Sequence, residues 1–415
     1  MPKSRNSWWR AALVTCGIVF ASAIVAVVGA EIYLSHTMAP RFLLPFYNRL
    51  YPYVMFRPME SYTYETPETF EMSHFKSRIF VYSNEDGFRI PAPGYKLPKA
   101  KPPRQLRIAA LGGSLVQLAS TFDTTMPGAL KLLLQRRYPG RDIEVINAGI
   151  QSSVSRQSLV QLVTTVVDYH PDMVILYDGG NDIGLPFTYE SRPNFPYNFQ
   201  TMEEAWDEYR QERRASLFRV AWERSYLARA LRERFSPGGR KLVPTADDPF
   251  AGTNAVPVSR ILSDQNLVRG QIAAYLSNWR KVVELSRAYH YKPVCILTPA
   301  SGGLDEPFAL PRMMKSFRLS RETALEWIHA FRILYDEAGR QIDGLRPSQP
   351  DAVFLNMTDD LQPAEKYFWD LAHVYDEANT TIAERIYAAI RPAVEDALAS
   401  VAREPLAGAP AESER

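Results

Sequence analysis

Between residues 105 and 400, short apolar runs bounded by turn formers alternate with longer stretches in which apolar residues recur every three or four positions. The runs read as strands buried on both faces, and the spaced stretches read as amphipathic helices. RIAAL at 107–111, DIEVIN at 142–147, DMVILYD at 172–178, PVCILT at 293–298 and AVFLN at 352–356 are the strands predicted. Helices are predicted over 127–137, 155–169, 264–290, 323–342 and 376–403, with Pro127 suited to a first turn. Strands joined by crossover helices imply an α/β fold with three layers, α/β/α, and a mostly parallel central sheet.

Other stretches depart from this alternation. Residues 185–260 hold an aromatic, Pro-rich passage, a charged helical stretch around Met202 to Arg234, and the looser TADDPFAGTNAVP. Residues 300–320 read as a loop. Residues 34–65, rich in Pro, Tyr and Phe, show no clean periodicity, and PAPGYKLPKAKPP at 92–104 leads into the main domain. Ala11 to Ala30 is 20 residues without a charge, enough for a helix to span about 30 Å of hydrocarbon. Lys3, Arg5 and Arg10 precede it with no acid, and Trp8 and Trp9 sit where an interfacial anchor would. Basic flanks stay cytoplasmic, so this reads as one transmembrane helix in the cell membrane with the rest of the chain extracytoplasmic, periplasmic or extracellular. Val28-Gly29-Ala30 also resembles a leader-peptidase site, which keeps a cleaved signal peptide open beside the anchor and a buried core helix. The organisation expected is a cytoplasmic stub at 1–10, the span at 11–30, a membrane-proximal connector and lead-in at 31–104, a domain at 105–400 with the insertion 185–260, and a flexible tail at 401–415.

Composition narrows the partners. With 46% hydrophobic and 23% charged residues the chain is neither globally disordered nor fibrous. Lys and Arg number 48 against 46 Asp and Glu, a net +2, and without residues 1–30 the balance is −1. A near-neutral exported part argues against nucleic-acid binding and names no charged partner. Two cysteines exclude a disulfide scaffold or a Cys-rich metal site. Cys16 lies in the apolar run and Cys295 in a core strand, so both read as small hydrophobes.

Sites in parallel sheets form beyond the carboxyl ends of the strands, and polar residues follow the strands here. Gly112-Gly113-Ser114 follows the first, Asn147-Ala148-Gly149 the second, and Asp178-Gly179-Gly180-Asn181-Asp182 the third. Each is also a turn composition, with Gly and Asn supplying positive φ and local hydrogen bonds. Read as chemistry, the N–H groups of Ser114 and Gly149 and the amide of Asn181 make three donors for one oxyanion. Asp370-Leu371-Ala372-His373 follows the last strand, and an i, i+3 pair shares one face of a helical turn. Asp370 would hold the tautomer of His373, and His373 would take a proton from Ser114. A capping Asp and a surface His are the plainer reading. His170 and His290 precede strands, His329 lies within a helix, and His36 and His74 lie early, so none is placed as His373 is.

In these blocks the chain resembles the SGNH hydrolases, the GDSL-like lipase/acylhydrolase superfamily. Ser114 matches the nucleophile block, Gly149 the second, Asn181 in Gly179-Gly180-Asn181-Asp182 the third, and Asp370 and His373 the fifth, in order along residues 107–392. Asn84-Glu85-Asp86-Gly87-Phe88-Arg89 looks like the lead-in of some bacterial members. One departure stands out: Gly113 occupies the position where the family usually has Asp. The resemblance implies a flavodoxin-like three-layer domain and a serine esterase or acylhydrolase with catalytic Ser114, Asp370 and His373 and an oxyanion hole of Ser114, Gly149 and Asn181. It implies no cofactor and no metal. The substrate implied is an O-acyl, chiefly O-acetyl, ester of an extracytoplasmic glycan or lipid, with envelope or polysaccharide-assembly proteins as possible partners. An O-acyltransferase would use the same machinery. A non-catalytic glycan-binding or assembly protein is kept open by Gly113, and a metal-dependent phosphoesterase would instead use Asp178, Asp182, Asp370 and His373. The aromatic residues Phe187, Tyr189, Phe195, Tyr197 and Trp206 are candidates for one wall of a cleft or for the insertion's own small core, and Phe308, Met313 and Met314 for the opposite rim.

Overall fold

The computed structural model describes residues 6–37, 48–51, 55–58, 61–64, 79–184, 194, 225, 227, 228, 231, 257–317 and 319–403. The chain divides into two units, one of residues 1–43 with 200–243 and the other of 44–199 with 244–415.

In the first unit a single helix, α1 (Asn6–Thr37), carries the uncharged run and continues past Ala30 without a break. Its segment Ala12–Leu34 is long and apolar enough to cross a membrane, and its side chains lie exposed. Length and composition alone are equally those of a signal sequence. Glu31 accepts hydrogen bonds from Ser225 Oγ and Leu227 N–H, both at 2.9 Å.

The second unit is built on an eight-stranded sheet. Its strands are β3 (Ser61–Tyr64), β4 (Ile79–Ser83), β5 (Arg89–Ile90), β6 (Leu106–Gly112), β7 (Ile143–Gly149), β8 (Met173–Asp178), β9 (Lys292–Leu297) and β10 (Val353–Asn356). They lie in the order β10-β9-β8-β6-β7-β5-β4-β3, and β1 (Asn48–Tyr51) and β2 (Met55–Pro58) pair separately as an antiparallel hairpin. The five strands from β6 to β10 are mutually parallel, and β5, β4 and β3 add on antiparallel beside β7. The parallel core therefore has the flavodoxin-like order 2-1-3-4-5. The predicted core strands are present with ends shifted by one or two residues. The connector 31–104 does more than expected, because it supplies three strands of the sheet. Strands this short carry too little alternation to stand out from a Pro- and Tyr-rich background.

Alternation along each parallel strand divides the core in two. Ala109, Leu111, Val174, Leu176, Cys295 and Leu297 face a layer that includes helix Gln265–Tyr289 and helix Arg321–Leu345. Ile108, Ala110, Ile175, Tyr177, Val294 and Ile296 face helix Met126–Arg137 and helix Asp376–Val401. This is the three-layer α/β/α arrangement. The segment 300–320, expected as a loop, instead holds helices Ser301–Leu304 and Glu306–Ser316. Pro307 sits in the first turn of the second, where its missing N–H costs nothing. Residues 185–256 of the insertion 185–260, and residues 404–415, lie outside the described residues, apart from the few positions named above.

Because β6 lies between β7 and β8, the crossovers diverge at the carboxyl ends of β6 and β8 and leave a crevice there.

Candidate active site

Ser114 opens α2 (Ser114–Gln117), a single turn that begins two residues after β6 ends. Its hydroxyl lies at the crevice, 2.8 Å from His373 Nε2, although the two residues are 259 positions apart. His373 Nδ1 lies 2.7 Å from Asp370 Oδ2. Asp370 Oδ1 accepts the N–H of Ala372 at 2.8 Å and also that of His373. The structure thus brings Ser114, His373 and Asp370 into one hydrogen-bonded chain.

The local conformation around Asp370 differs from the expected helical turn. Residues 369–373 form a bend closed by a bridge between Phe368 and Val374, and Trp369 N–H donates to the His373 carbonyl at 3.1 Å. Asp370 organises that bend through the two backbone N–H groups it accepts, as Asx turns do. The Trp369 indole stacks on the imidazole with centroids 5.1 Å apart and planes 14° from parallel, fixing the ring from one side. The His373 and Asp370 side chains are 26% and 31% exposed.

Electrostatics fit the geometry. Burial by itself lowers the His373 imidazole, but the Asp370 charge and hydrogen bond outweigh it and raise its pKa above the ordinary value. Burial likewise works to raise Asp370, and the His373 charge with the hydrogen bonds from His373 and Ala372 leaves it lowered. Asp370 is therefore ionised and poised to stabilise an imidazolium.

The remaining candidates separate. Asn181 lies in the short helix Gly180–Ile183, just past β8, and its Nδ2 donates to Ser153 O at 2.8 Å. That bond orients the amide and uses only one of its two hydrogens. Gly113 lies beside the same contact. A Cβ there would lie 3.0 Å from Asn181 Nδ2 and 3.4 Å from Ser153 O. The missing Asp thus goes with a close approach of Asn181 to the nucleophile turn. Gly149 does not offer the unobstructed N–H that was expected. Its N–H donates to Asn147 Oδ1 at 3.2 Å, and a Cβ would lie 2.6 Å from Gln117 N. The glycine is there because α2 packs directly on the end of β7.

Asp178 is buried and accepts from Tyr275 OH at 2.7 Å and Trp279 Nε1 at 3.0 Å. Burial, reinforced by the Asp182 charge, pushes its pKa well up. Asp182 accepts from Ser155 N–H at 3.0 Å and Ser155 Oγ at 2.6 Å, and burial pushes it to about 7. Asp178 is thus tied to the helix Gln265–Tyr289 and Asp182 to Ser155, and neither bonds Asp370 or His373. A metal site of all four has no support in this geometry.

The small cavity at the hydroxyl is lined by Ser114, Leu115, Leu118, Ala119, Trp369, His373 and Val374. The expected rim residues do not line it: Phe308 and Met313 are buried in the core, and Met314 lies exposed. Phe187, Tyr189, Phe195, Tyr197 and Trp206 are outside the described residues. Sequence reasoning missed Ser153, whose carbonyl holds Asn181, and its neighbour Ser152, which sits at φ 64. Three closely spaced serines at 152, 153 and 155, shortly after the second block, were the available signal.

No protein-family model matches the chain, and no curated protein matches it. Among solved structures it is similar to the acetylxylan esterase Axe2 from Geobacillus stearothermophilus, at 14% identity over 68% of this chain and 93% of that one, with a TM-score of 0.32. A Bacteroides fragilis protein provisionally assigned as an acylhydrolase gives 14% identity, 73% and 92% coverage and a TM-score of 0.34. LAE5, an α/β hydrolase from the Lake Arreo metagenome, gives 13% identity, 68% and 94% coverage and a TM-score of 0.30. Likeness at this level fixes neither substrate nor mechanism, which rest on the site itself.

Proposed function

We propose that the protein is a serine esterase of SGNH type that cleaves short O-acyl esters, acetyl above all, from an extracytoplasmic glycan or lipid. One observation carries the reading: Ser114 Oγ, both His373 ring nitrogens and Asp370 Oδ2 form a continuous chain, with separations of 2.8 and 2.7 Å. That is the nucleophile, base and orienter division of labour.

In the reaction, His373 takes the Ser114 proton as Oγ attacks the acyl carbonyl. The tetrahedral oxyanion is held by the Ser114 N–H, which as the first N–H of α2 has no intrahelical partner, and by the free hydrogen of the Asn181 amide. The alcohol leaves with the proton from His373. Water, activated by the same imidazole, then releases the acyl group and regenerates Ser114. A sugar hydroxyl entering in place of water would make the same covalent intermediate an acyl donor, and the products formed from an acetylated glycan distinguish hydrolysis from transfer.

Leu115, Leu118, Ala119 and Val374 close around the hydroxyl, which supports a short acyl group. Across a p-nitrophenyl acetate, butyrate and octanoate series, kcat/KM is expected to fall by about tenfold or more from acetate to octanoate, the scale on which a close-fitting apolar pocket discriminates chain length. Rates that rise with chain length would turn the substrate towards lipid acyl chains.

The apolar segment Ala12–Leu34, 23 residues, is longer than the roughly 7–15-residue apolar core of a cleaved signal, which supports a retained membrane anchor. The full-length mass is expected in the membrane fraction after an alkaline carbonate wash. A mature N-terminus at Glu31 would overturn the anchor.

A further inference from the structure

The lead-in Asn84-Glu85-Asp86-Gly87-Phe88-Arg89 has no part in the chemistry above. Its first five residues build a tight turn between β4 and β5. Asn84 Oδ1 accepts the Phe88 N–H at 2.9 Å, Gly87 takes φ 82, Asp86 accepts from Tyr169 OH at 2.6 Å, and Phe88 packs edge-on against Tyr169. The turn delivers Arg89 to a two-residue strand whose only residue in register with β7 is Arg89 itself, opposite Asn147. From there the guanidinium, 2% exposed, runs beneath the nucleophile turn. Its Nη1 donates to Gln117 O and its Nη2 to Ala119 O at 3.0 Å. Asn147 Nδ2 donates to the adjacent Val116 O at 2.8 Å.

These carbonyls need partners. A helix of one turn leaves its last C=O groups without intrahelical donors, and Gln117 and Ala119 are buried. A planar guanidinium meets two carbonyls at once in a fixed orientation, whereas an ammonium is a single point charge on a flexible stem. The carbonyls it holds flank Leu118, and Leu118 and Ala119 line the cavity beside Ser114.

We propose that Arg89 is a positioning residue for the nucleophile: by forking across Gln117 O and Ala119 O it fixes the path of residues 114–119, and so the placement of Ser114 Oγ against His373 and the wall of the acyl pocket. The proposal rests on Ser114 being the nucleophile. A displacement of about 1 Å at a reacting group costs on the order of 100-fold in rate, so a brace of this kind is visible in kinetics even though Arg89 touches no reacting atom.

The test uses the full-length protein in detergent and an uncharged fluorophosphonate that labels activated serines, on wild type, R89A and R89K. R89A removes the brace but also leaves two buried carbonyls bare, so folding can suffer. R89K keeps a buried cation and gives up the fork, and it decides the matter. The expected result is that R89K labels Ser114 about tenfold or more slowly, with faster amide hydrogen exchange over 115–121 and the His373 ionisation unmoved in the pH profile. A lowered melting temperature with wild-type labelling and exchange would make Arg89 merely structural and overturn the proposal. Labelling of the wild type with equal labelling of R89K would overturn Arg89 alone. A wild type that does not label at Ser114 would overturn the serine reading and the role of Arg89 with it.

Discussion

Ser114→Ala is expected to lower kcat on p-nitrophenyl acetate by about 10⁴-fold or more, with KM little changed. Alanine keeps the backbone N–H at 114, the Asn181 amide and the pocket walls, so substrate still binds and the oxyanion site survives. What is lost is the covalent route. Removing a nucleophile that works as a unit with its base leaves only the residual catalysis of binding and oxyanion stabilisation. The same logic predicts non-additivity. His373→Ala alone is expected to cost nearly as much as Ser114→Ala, and the double variant scarcely more than either, because each loss disables the same step. Additive losses would mean that the two side chains act in separate events and that their 2.8 Å contact is incidental to catalysis.

Asp370→Asn is the second large effect, and it has a pH signature. Catalysis needs the neutral imidazole. The Asp370 charge raises the His373 pKa, so the acid limb of kcat/KM in the wild type is expected above the ordinary histidine value of about 6.5. Activity is absent below that limb and appears as pH rises through it. Asparagine removes the anion that favours imidazolium while burial still opposes it, so the limb moves down. The high-pH plateau is expected to fall by about 10³- to 10⁴-fold, since an amide also disturbs the tautomer that leaves Nε2 free to accept the Ser114 proton. A pH series of kcat/KM on both proteins reads the two effects separately. A limb that stays in place in Asp370→Asn would mean that His373 is not the titrating base.

Much of this site was legible in the chain because its residues sit in short blocks immediately after strands, and the strands were apolar enough to find. The roles that depend on distant packing were not legible. Gly149 looked like a donor because a glycine after a strand leaves an open N–H in principle. Only the course of α2 over β7 shows that the glycine makes room for Gln117 and that its N–H turns back to Asn147. Gly113 looked only like a loss because sequence gives no hint that Asn181 Nδ2 comes within 3.0 Å of where a Cβ at 113 would sit. Asp-x-x-His suggested a helical turn from spacing alone, yet the Asp370 side chain bonds the backbone of its own turn and competes with helix. Helix Glu306–Ser316 was hidden by two prolines that mark loops in most contexts, and the strands of the lead-in by their brevity.

The central claim is that Ser114 carries the acyl group. The most direct measurement mixes the protein with p-nitrophenyl acetate, quenches in acid within the first turnovers, and maps the acetyl adduct by peptide mass spectrometry beside Ser114→Ala. The account predicts an acetyl group on the peptide containing Ser114 and none in Ser114→Ala, whose turnover collapses. An adduct on another residue, or undiminished turnover by Ser114→Ala, would contradict it.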